Sequence, residues 1–162
     1  MRGALVVRNR QRVCRVDLRV LRRIVKAALQ EILKEGAFDL GIYLVGAAEM
    51  TDLNETFLRH RGPTDVIAFD YSQRAKRGLS SFPAALHGEI FVCVEEAIRQ
   101  ARRFRTTWQS ELVRYVLHGM LHLRGFDDSR RRQRQKMKRE ENRLLRELRR
   151  EFDFAELRSV SG

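Results

Sequence analysis

The chain has 162 residues, of which 43% are hydrophobic, so it is long enough for one domain with a buried core and too apolar for wholesale disorder. Thirty-three Lys and Arg residues against twenty-one Asp and Glu give a formal net charge of +12. This excess of positive charge favours a nucleic acid over a membrane surface as partner, and the alternative is that the charge only makes the surface soluble. No segment approaches the roughly 18 apolar residues of a membrane span.

The first part of the chain predicts a strand, a helix and a second strand. A short apolar run at residues 4–7 is typical of an opening strand. Apolar residues at steps of three and four then predict an amphipathic helix over about 17–35, with Asp17 as its N-cap and Gly36 closing the pattern. Residues 38–45 are rich in β-forming side chains and predict the second strand.

The middle of the chain mixes strands with irregular segments. A second helix around residues 50–57 must end before the Gly-Pro pair at 62–63. Two further strands are predicted at 66–69 and 89–94. The segment 71–87 between them contains Ser, Arg, Gly and Pro and is typical of a loop.

The remainder of the chain is predicted to be helical. Helices are expected at 95–103, at 107–124 and, rich in arginine, at about 129–157. Strands early and helices late indicate a single α+β domain over residues 1–162, with a small mixed β-sheet of about four strands packed with several α-helices. We expect the basic C-terminal helix to dock through a sparse apolar stripe and to leave an arginine-rich face in water.

The two cysteines and the first residues of the chain bear on its location. Cys14 and Cys93 offer neither a CxxC motif nor a disulfide framework. The N-terminal residues lack the apolar stretch of about 7–15 residues that a signal peptide needs. We therefore expect two reduced thiols and a cytoplasmic protein, with neither a membrane nor a nucleotide cofactor among its partners.

The segment HGMLHLRGFDD at residues 118–128 suggests a metal site. His118 and His122 lie four residues apart on a predicted helix, so both imidazoles can reach one cation from the same helix face. Gly125 is expected to end the helix, and an acidic residue after it can approach the pair from a third direction. Three protein ligands with an open position are the layout of a catalytic zinc. A helical histidine pair that binds no metal is the alternative.

The same segment argues against a standard HExxH peptidase. In those proteases the residue after the first histidine is the glutamate that acts as general base. Here that residue is Gly119. A metal-dependent peptidase is therefore less favoured, and the basic charge agrees better with a nucleic acid.

The segment HGMLHLRGFDD resembles the signature HGxLHLxGxDH of the YbeY family, bacterial metal-dependent endoribonucleases of ribosomal RNA maturation and ribosome quality control. LN followed by F at 53–57 and PTDVIAF at 63–69 are similar to the family's LN..(F/Y)R...PTDVLSF. GEIFVC at 88–93 is similar to its GDIxIx strand. The three motifs occur in the same order and at consistent separations, over roughly residues 40–130.

The resemblance implies that His118 and His122 are metal ligands. The family's third zinc-binding histidine falls on Asp128, which we infer to be the third ligand from its position and from the ability of a carboxylate to bind zinc. The preceding Asp127 is expected to be a cap or an indirect partner of the site. Two histidines and one carboxylate can hold one Zn²⁺ per chain, and also Mn²⁺ or Fe²⁺.

The family's arginine after the aromatic residue, which is implicated in RNA contact, falls on Leu58. Arg59 and Arg61 lie beside it and are candidate phosphate contacts. A shift of one position on a helix turns a side chain by about 100°, and exposed solubilising arginines are an equal alternative. Glu89 and Asp65 are candidate general bases, each with an alternative interpretation as a strand-edge or capping residue.

These features favour a zinc-dependent endoribonuclease that cuts single-stranded RNA, with its metal site on a central helix. The resemblance extends the expected partners to ribosomal RNA and the small ribosomal subunit. The main alternative is a ribosome-associated RNA-binding factor in which the metal is structural and catalysis is weak or absent.

Overall fold

The computed structural model of the chain describes residues 2–72 and 85–159. Its strands are β1 (Arg2–Asn9), β2 (Ala37–Val45), β3 (Val66–Asp70) and β4 (Leu86–Cys93). Its helices are α1 (Leu18–Leu33), α2 (Ala47–Leu53), α3 (Val94–Phe104), α4 (Trp108–Leu123) and α5 (Arg131–Glu151), with a π-helical turn at Asn54–Leu58 and a 3-10 turn at Phe154–Leu157. Each predicted strand and helix has a counterpart among these elements.

The four strands form one mixed sheet in the order β1-β2-β4-β3. β1 is parallel to β2, β2 is parallel to β4, and β3 is antiparallel to β4. The prediction of an α+β fold with a small mixed sheet of four strands is confirmed. Among the described residues, no helix is both long enough and apolar enough to cross a membrane.

The two faces of the sheet are buried by different helices. Successive side chains of a strand point to opposite faces, so Ile90 and Phe91 of β4 face opposite sides. Ile90 belongs to the large apolar cluster that the sheet forms with α1, α4 and α5. Phe91 belongs to a smaller cluster with Met50 of α2. The large cluster therefore fixes α4 and α5 on one face of the sheet.

The predicted limits of α1 are confirmed by its end contacts. Oδ1 of Asp17 accepts hydrogen bonds from the backbone N–H groups of Arg19 and Val20 at 3.0 and 3.2 Å, which satisfies two donors of the first turn. At the other end, Lys34 and Gly36 both adopt positive φ angles, which stop the helix and turn the chain into β2.

Two predicted segments differ from the structure in the middle of the chain. The loop expected at 71–87 lies mostly outside the described residues, and its last two residues, Leu86 and His87, already belong to β4. The second helix continues past Leu53 as a π-helical turn, whose wider winding leaves Phe57 exposed. The second helix therefore ends before the Gly-Pro pair at 62–63, as predicted, but its last turn is π-helical.

The basic C-terminal helix is shorter than the predicted span of 129–157. α5 ends at Glu151, where Phe152 adopts an extended backbone conformation. The chain then turns so that Phe154 and Leu157 are buried in the large cluster. Burial of these two apolar side chains outweighs the helical propensity of the arginine-rich sequence.

α4, which carries the histidine pair, packs directly on β4. Gly119 makes this close approach possible, because a Cβ atom at this position would lie 2.7 Å from Cγ2 of Ile90. Interiors are packed too densely to absorb such an overlap without a shift. The glycine that replaces the peptidase glutamate is thus required by packing.

Gly119→Ala is expected to lower the free energy of unfolding by up to about 2 kcal/mol. Overpacking costs about 1–3 kcal/mol and exceeds the roughly 1 kcal/mol that alanine gains over glycine in helix propensity. Urea unfolding measures the change. Gln109→Ala, near the start of the same helix, is the control and is expected to leave stability nearly unchanged. A stabilised Gly119→Ala protein would contradict the tight contact with β4.

Candidate metal centre

Three side chains meet near the C-terminal end of α4. Nε2 of His118 lies 3.0 Å from Nε2 of His122. Oδ2 of Asp128 lies 3.4 Å from the first nitrogen and 3.6 Å from the second. Gly125, with φ of 96°, turns the chain after α4 so that Asp128 reaches back to the histidines. The structure therefore brings together the three side chains that the sequence suggested as ligands.

The spacing of these donor atoms fits a metal ion. A tetrahedral zinc with bonds of about 2.0–2.2 Å has ligand atoms about 3.3–3.6 Å apart, close to the separations observed. In the described ranges, this is the only group of three or more His, Cys, Asp or Glu residues whose ligand atoms lie so near one another. The cluster can therefore bind a metal ion.

Each histidine is held through its other ring nitrogen. Nδ1 of His118 lies 2.7 Å from Oε2 of Glu141, and Nδ1 of His122 lies 3.1 Å from the carbonyl oxygen of Phe126. A carboxylate and a carbonyl oxygen accept hydrogen bonds, so both Nδ1 atoms carry the proton and donate it. Both Nε2 lone pairs then point toward the Asp128 carboxylate and toward each other. A cation satisfies this arrangement of three electron-pair donors.

Glu141 supports His118 from α5. It is only 7% exposed, and its second oxygen, Oε1, lies 3.5 Å from Nη1 of Arg114. Arg114 in turn donates a hydrogen bond to Oδ1 of Asn142 at 3.0 Å. The buried carboxylate is thus paired on one side with an imidazole and on the other with a guanidinium, as a buried charge requires.

Sequence reasoning missed Glu141, although a signal was present. The apolar stripe of α5 includes Met137, Leu144 and Leu148, all buried, and Glu141 falls within it at helical spacing. A carboxylate on the buried face of a helix needs a partner from another element. Nothing in the sequence shows which one, because His118 lies on a different helix.

These contacts also set the protonation of His118. Burial lowers the pKa of His118, but the hydrogen bond to Glu141 and the negative charges of Glu141, Asp128 and Asp65 raise it more. The pKa therefore lies above its ordinary value. The surroundings of this imidazole stabilise positive charge, whether a proton or a metal ion supplies it.

Asp127 is bound to Ser129 and is not a member of the cluster. Its Oδ1 accepts a hydrogen bond from the backbone N–H of Ser129 at 2.9 Å, and its Oδ2 accepts one from the Ser129 hydroxyl at 2.7 Å. These hydrogen bonds lower the pKa of Asp127. The residue thus caps the turn that carries Asp128, which is one of the two roles predicted for it.

The cluster lies where two grooves meet. The first groove, of about 450 Å³, runs along β3 and the turn before it, and His118, His122 and Asp128 form part of its wall. The second groove, of about 470 Å³, lies between α4 and α5 and shares His118 and Asp128 with the first. A chain-like ligand that crosses the cluster would therefore contact both grooves.

The structure does not bring the candidate phosphate contacts to the cluster. Leu58, which is 45% exposed, lines the first groove. Arg59 and Arg61 are exposed and, within the described part of the chain, do not line it. Arg59 ends the π-helical turn in a left-handed conformation, with φ of 57°, so the helix winding does not continue to these residues.

The two candidate general bases lie on different sides of the sheet. Asp65 lines the first groove together with His118, and its Oδ1 accepts a hydrogen bond from the N–H of Val66 at 2.8 Å. Glu89 accepts a hydrogen bond from the Tyr71 hydroxyl at 2.6 Å, on the face opposite to the one that packs against α4. The structure therefore does not bring Glu89 to the cluster.

Glu141→Gln is expected to weaken Zn²⁺ binding roughly 10- to 100-fold, because a neutral amide is a poorer acceptor for the Nδ1–H of His118. Competition with a chromophoric chelator measures the affinity. Glu140→Gln is the matched control, since the neighbouring Glu140 pairs with Arg143 and not with the cluster. Equal zinc affinities for the two variants would contradict the supporting role of Glu141.

Comparisons with known proteins add an independent line of support. The sequence profile of the family described as Endoribonuclease YbeY matches residues 6–149. A protein named Endoribonuclease YbeY from Chlorobium phaeovibrioides is 35% identical over 130 residues, covering 79% of this chain and 80% of its own length. Its namesake from Chlorobium luteolum is 30% identical over 136 residues, covering 83% and 90%. A solution structure of a Thermotoga maritima protein matches with a TM-score of 0.62 at 27% identity, over 91% of both chains.

Proposed function

The chain belongs to the endoribonuclease YbeY family, and from this premise we propose that it is a metal-dependent endoribonuclease that cuts single-stranded RNA at the cluster of His118, His122 and Asp128. As a member of this family it is a hydrolase that acts on RNA. The observation that carries the proposed site is the convergence of three ligand atoms on one point in the wall of a surface groove. The net charge of +12 suits a polyanionic substrate.

The residues of the chain have distinct roles in the proposed reaction. The metal ion, when bound, supplies a Lewis acid that polarises a phosphoryl oxygen and activates water. Glu141 and the carbonyl group of Phe126 orient the two imidazoles, so that Nε2 of each faces the ion. We assign to Asp65, which lines the same groove, the acceptance of the proton that the attacking oxygen loses.

We assign Zn²⁺ as the ion. Imidazole nitrogen and carboxylate oxygen are both good zinc ligands at tetrahedral spacing, and three protein ligands leave one position open for the reaction. The same two-histidine, one-carboxylate set also suits Mn²⁺ or Fe²⁺, so the metal found in the purified protein decides among the three.

Arg59 and Arg61 remain proposed phosphate contacts. Their support is their positive charge and their position directly after Leu58, where the family has its arginine. Arginine can bind a phosphate through two parallel hydrogen bonds. Both side chains are exposed, so an approaching RNA strand can reach them without rearrangement of the core.

Ribosomal RNA, the small ribosomal subunit and a role in ribosome quality control are the finer part of the proposal. They extend the RNA hydrolase activity of the family to a specific substrate. The cytoplasm is the proposed location, and its support is that Cys14 and Cys93 are both free thiols.

A second candidate function is an RNA-binding factor with a structural metal. One observation favours it, because Leu58 presents an apolar side chain to the first groove at the position of the family's arginine. RNA binding without cleavage would identify this function. A metal-dependent peptidase has less support, since the packing of Gly119 against Ile90 leaves no space for the HExxH glutamate.

The metal content of the purified protein tests the ligand set. About one zinc per chain is expected in the wild type, as in a site with three protein ligands, and a large loss is expected in His118→Ala and Asp128→Asn. Elemental analysis after exhaustive dialysis measures the content. Asp127→Asn is the matched control, because it changes the neighbouring carboxylate in the same way and should retain the metal. Full zinc content in Asp128→Asn would exclude Asp128 as a ligand.

Cleavage of an end-labelled single-stranded RNA tests the activity. Chelation and His122→Ala are each expected to abolish cleavage, and added Zn²⁺ is expected to restore it only after chelation. Asp65→Asn is expected to lower kcat by about 10²–10⁴-fold with normal metal content, the usual loss when a general base is removed. Product formation is followed on denaturing gels. Cleavage that persists under both chelation and His122→Ala would come from a contaminating nuclease.

A further inference from the structure

The groove between α4 and α5 is a second surface beside the cluster, and it has no assigned role. α5 contributes Arg134, Lys138 and Glu141 to its lining, and α4 contributes His118. Asp128 and the exposed Phe104 also line it. We propose that this groove binds the nucleotide next to the scissile bond, with Arg134 and Lys138 on its phosphates and Phe104 stacked on its base. The inference rests on the proposed function, because it takes RNA as the substrate of the cluster.

Arg134 and Lys138 are the cations that the groove offers to a ligand. They lie four residues apart on α5, which places them on the same helix face, and both are exposed. Within the described part of the chain, neither side chain is within ion-pairing distance of a carboxylate. Arg114, by contrast, is already committed to Glu141 and Asn142. Two cations beside the cluster that form no ion pair of their own can bind phosphate oxygens.

The two grooves differ in charge, which gives the bound strand a defined position. The charged side chains that line the first groove, apart from its histidines, are Asp65, Asp70 and Asp128, and no described lysine or arginine lines it. The second groove is lined by three cations, Arg114, Arg134 and Lys138, and by three carboxylates, Glu111, Asp128 and Glu141, so its formal charges balance where those of the first groove are all negative. The phosphates next to the scissile bond are therefore neutralised from the α5 side, opposite to the position where Leu58 replaces the family's arginine.

Phe104 supplies an aromatic surface at the rim of the second groove. It is the last residue of α3 and 60% exposed, so its ring is available to a ligand. The guanidinium of Arg103 lies 5.3 Å from the centre of the ring. Unpaired bases stack on exposed aromatic rings, and arginine adds a cation–π contribution. A base in a duplex is already stacked and paired, so this contact selects single-stranded RNA.

The size of the second groove suits one nucleotide. Its volume of about 470 Å³ falls in the range of roughly 300–1,000 Å³ that is typical of small-ligand pockets. His118 and Asp128 line both grooves. A nucleotide bound in the second groove therefore has its next phosphate beside the cluster.

The first arm of the test removes the cations. Binding of a short fluorescent 2′-O-methyl oligouridylate to the zinc-loaded full chain is measured by anisotropy over a series of salt concentrations. Arg134→Ala/Lys138→Ala is expected to weaken binding about tenfold. It should also reduce the slope of log affinity against log salt by about 0.7–1.4, the value for one or two phosphates of a single strand.

A matched double variant controls for charge. Arg132 and Arg139 are exposed residues of the same helix, and the rotation of about 100° per residue places them on the opposite side from Arg134 and Lys138. Arg132→Ala/Arg139→Ala removes the same charge and is expected to bind nearly as the wild type does. Equal loss of affinity in both double variants would show a general electrostatic effect and would overturn the proposed groove.

The second arm removes the aromatic ring. Phe104→Ala is expected to weaken binding of the oligouridylate roughly tenfold, and Phe104→Trp is expected to retain it. On an abasic oligomer of the same length, Phe104→Ala should bind as the wild type does, whereas Arg134→Ala/Lys138→Ala should still bind more weakly. An equal effect of Phe104→Ala on both oligomers would overturn base stacking.

Cleavage assays on the same variants separate the groove from the reaction. If the wild type binds RNA with the expected dependence on salt, on the two cations and on Phe104, but does not cut it, the proposed groove stands and the proposed catalysis is wrong. If wild-type cleavage depends on the metal but the groove variants bind RNA as the control variant does, the proposed catalysis stands and the proposed groove is wrong. Failure of the wild type to bind the oligouridylate at all would overturn the groove.

Discussion

The hydrogen bond between Glu141 and Nδ1 of His118 joins α5 to α4 at the proposed metal site. It lies beside the buried apolar contact between α4 and α5, where an unpaired carboxylate would cost several kcal/mol. Only one relative position of the helices pairs Glu141 with both His118 and Arg114. The bond therefore fixes the register of α5 on α4, directs the imidazole, and places Arg134 and Lys138 along the wall of the adjacent groove, because they share the helix face of Glu141.

Aspartate at position 128, where the family resemblance implies a histidine, changes the charge of the proposed site. In the proposed centre, Asp128 and Glu141 bring two negative charges to a dication, whereas a histidine at this position would leave only one. Attraction for an RNA phosphate must then come from other groups. Arg134 and Lys138 line the groove beside the cluster, where their positive charges can attract the phosphate.

Local sequence patterns predicted most elements of the fold and the histidine pair of the cluster, because both depend on short-range spacing, whereas Asp128 was assigned through the family resemblance. The histidine pair follows from helical periodicity, and the N-cap of α1 follows from one residue type. The end of α5 was not predictable in this way, since the burial of Phe154 and Leu157 determines it. Glu141 and Glu89 show the same limit. Which face of the sheet or which helix a carboxylate meets depends on packing between elements distant in sequence.

The contact of Gly119 with Ile90 has an evolutionary consequence. The HExxH arrangement places its general base on the same helix as its ligands, directly after the first histidine. A descendant of this chain cannot acquire that base by a single mutation, because the larger side chain would displace α4 from β4 unless Ile90 became smaller at the same time. In proteins that keep this helix–strand contact, the general base must therefore come from another part of the fold.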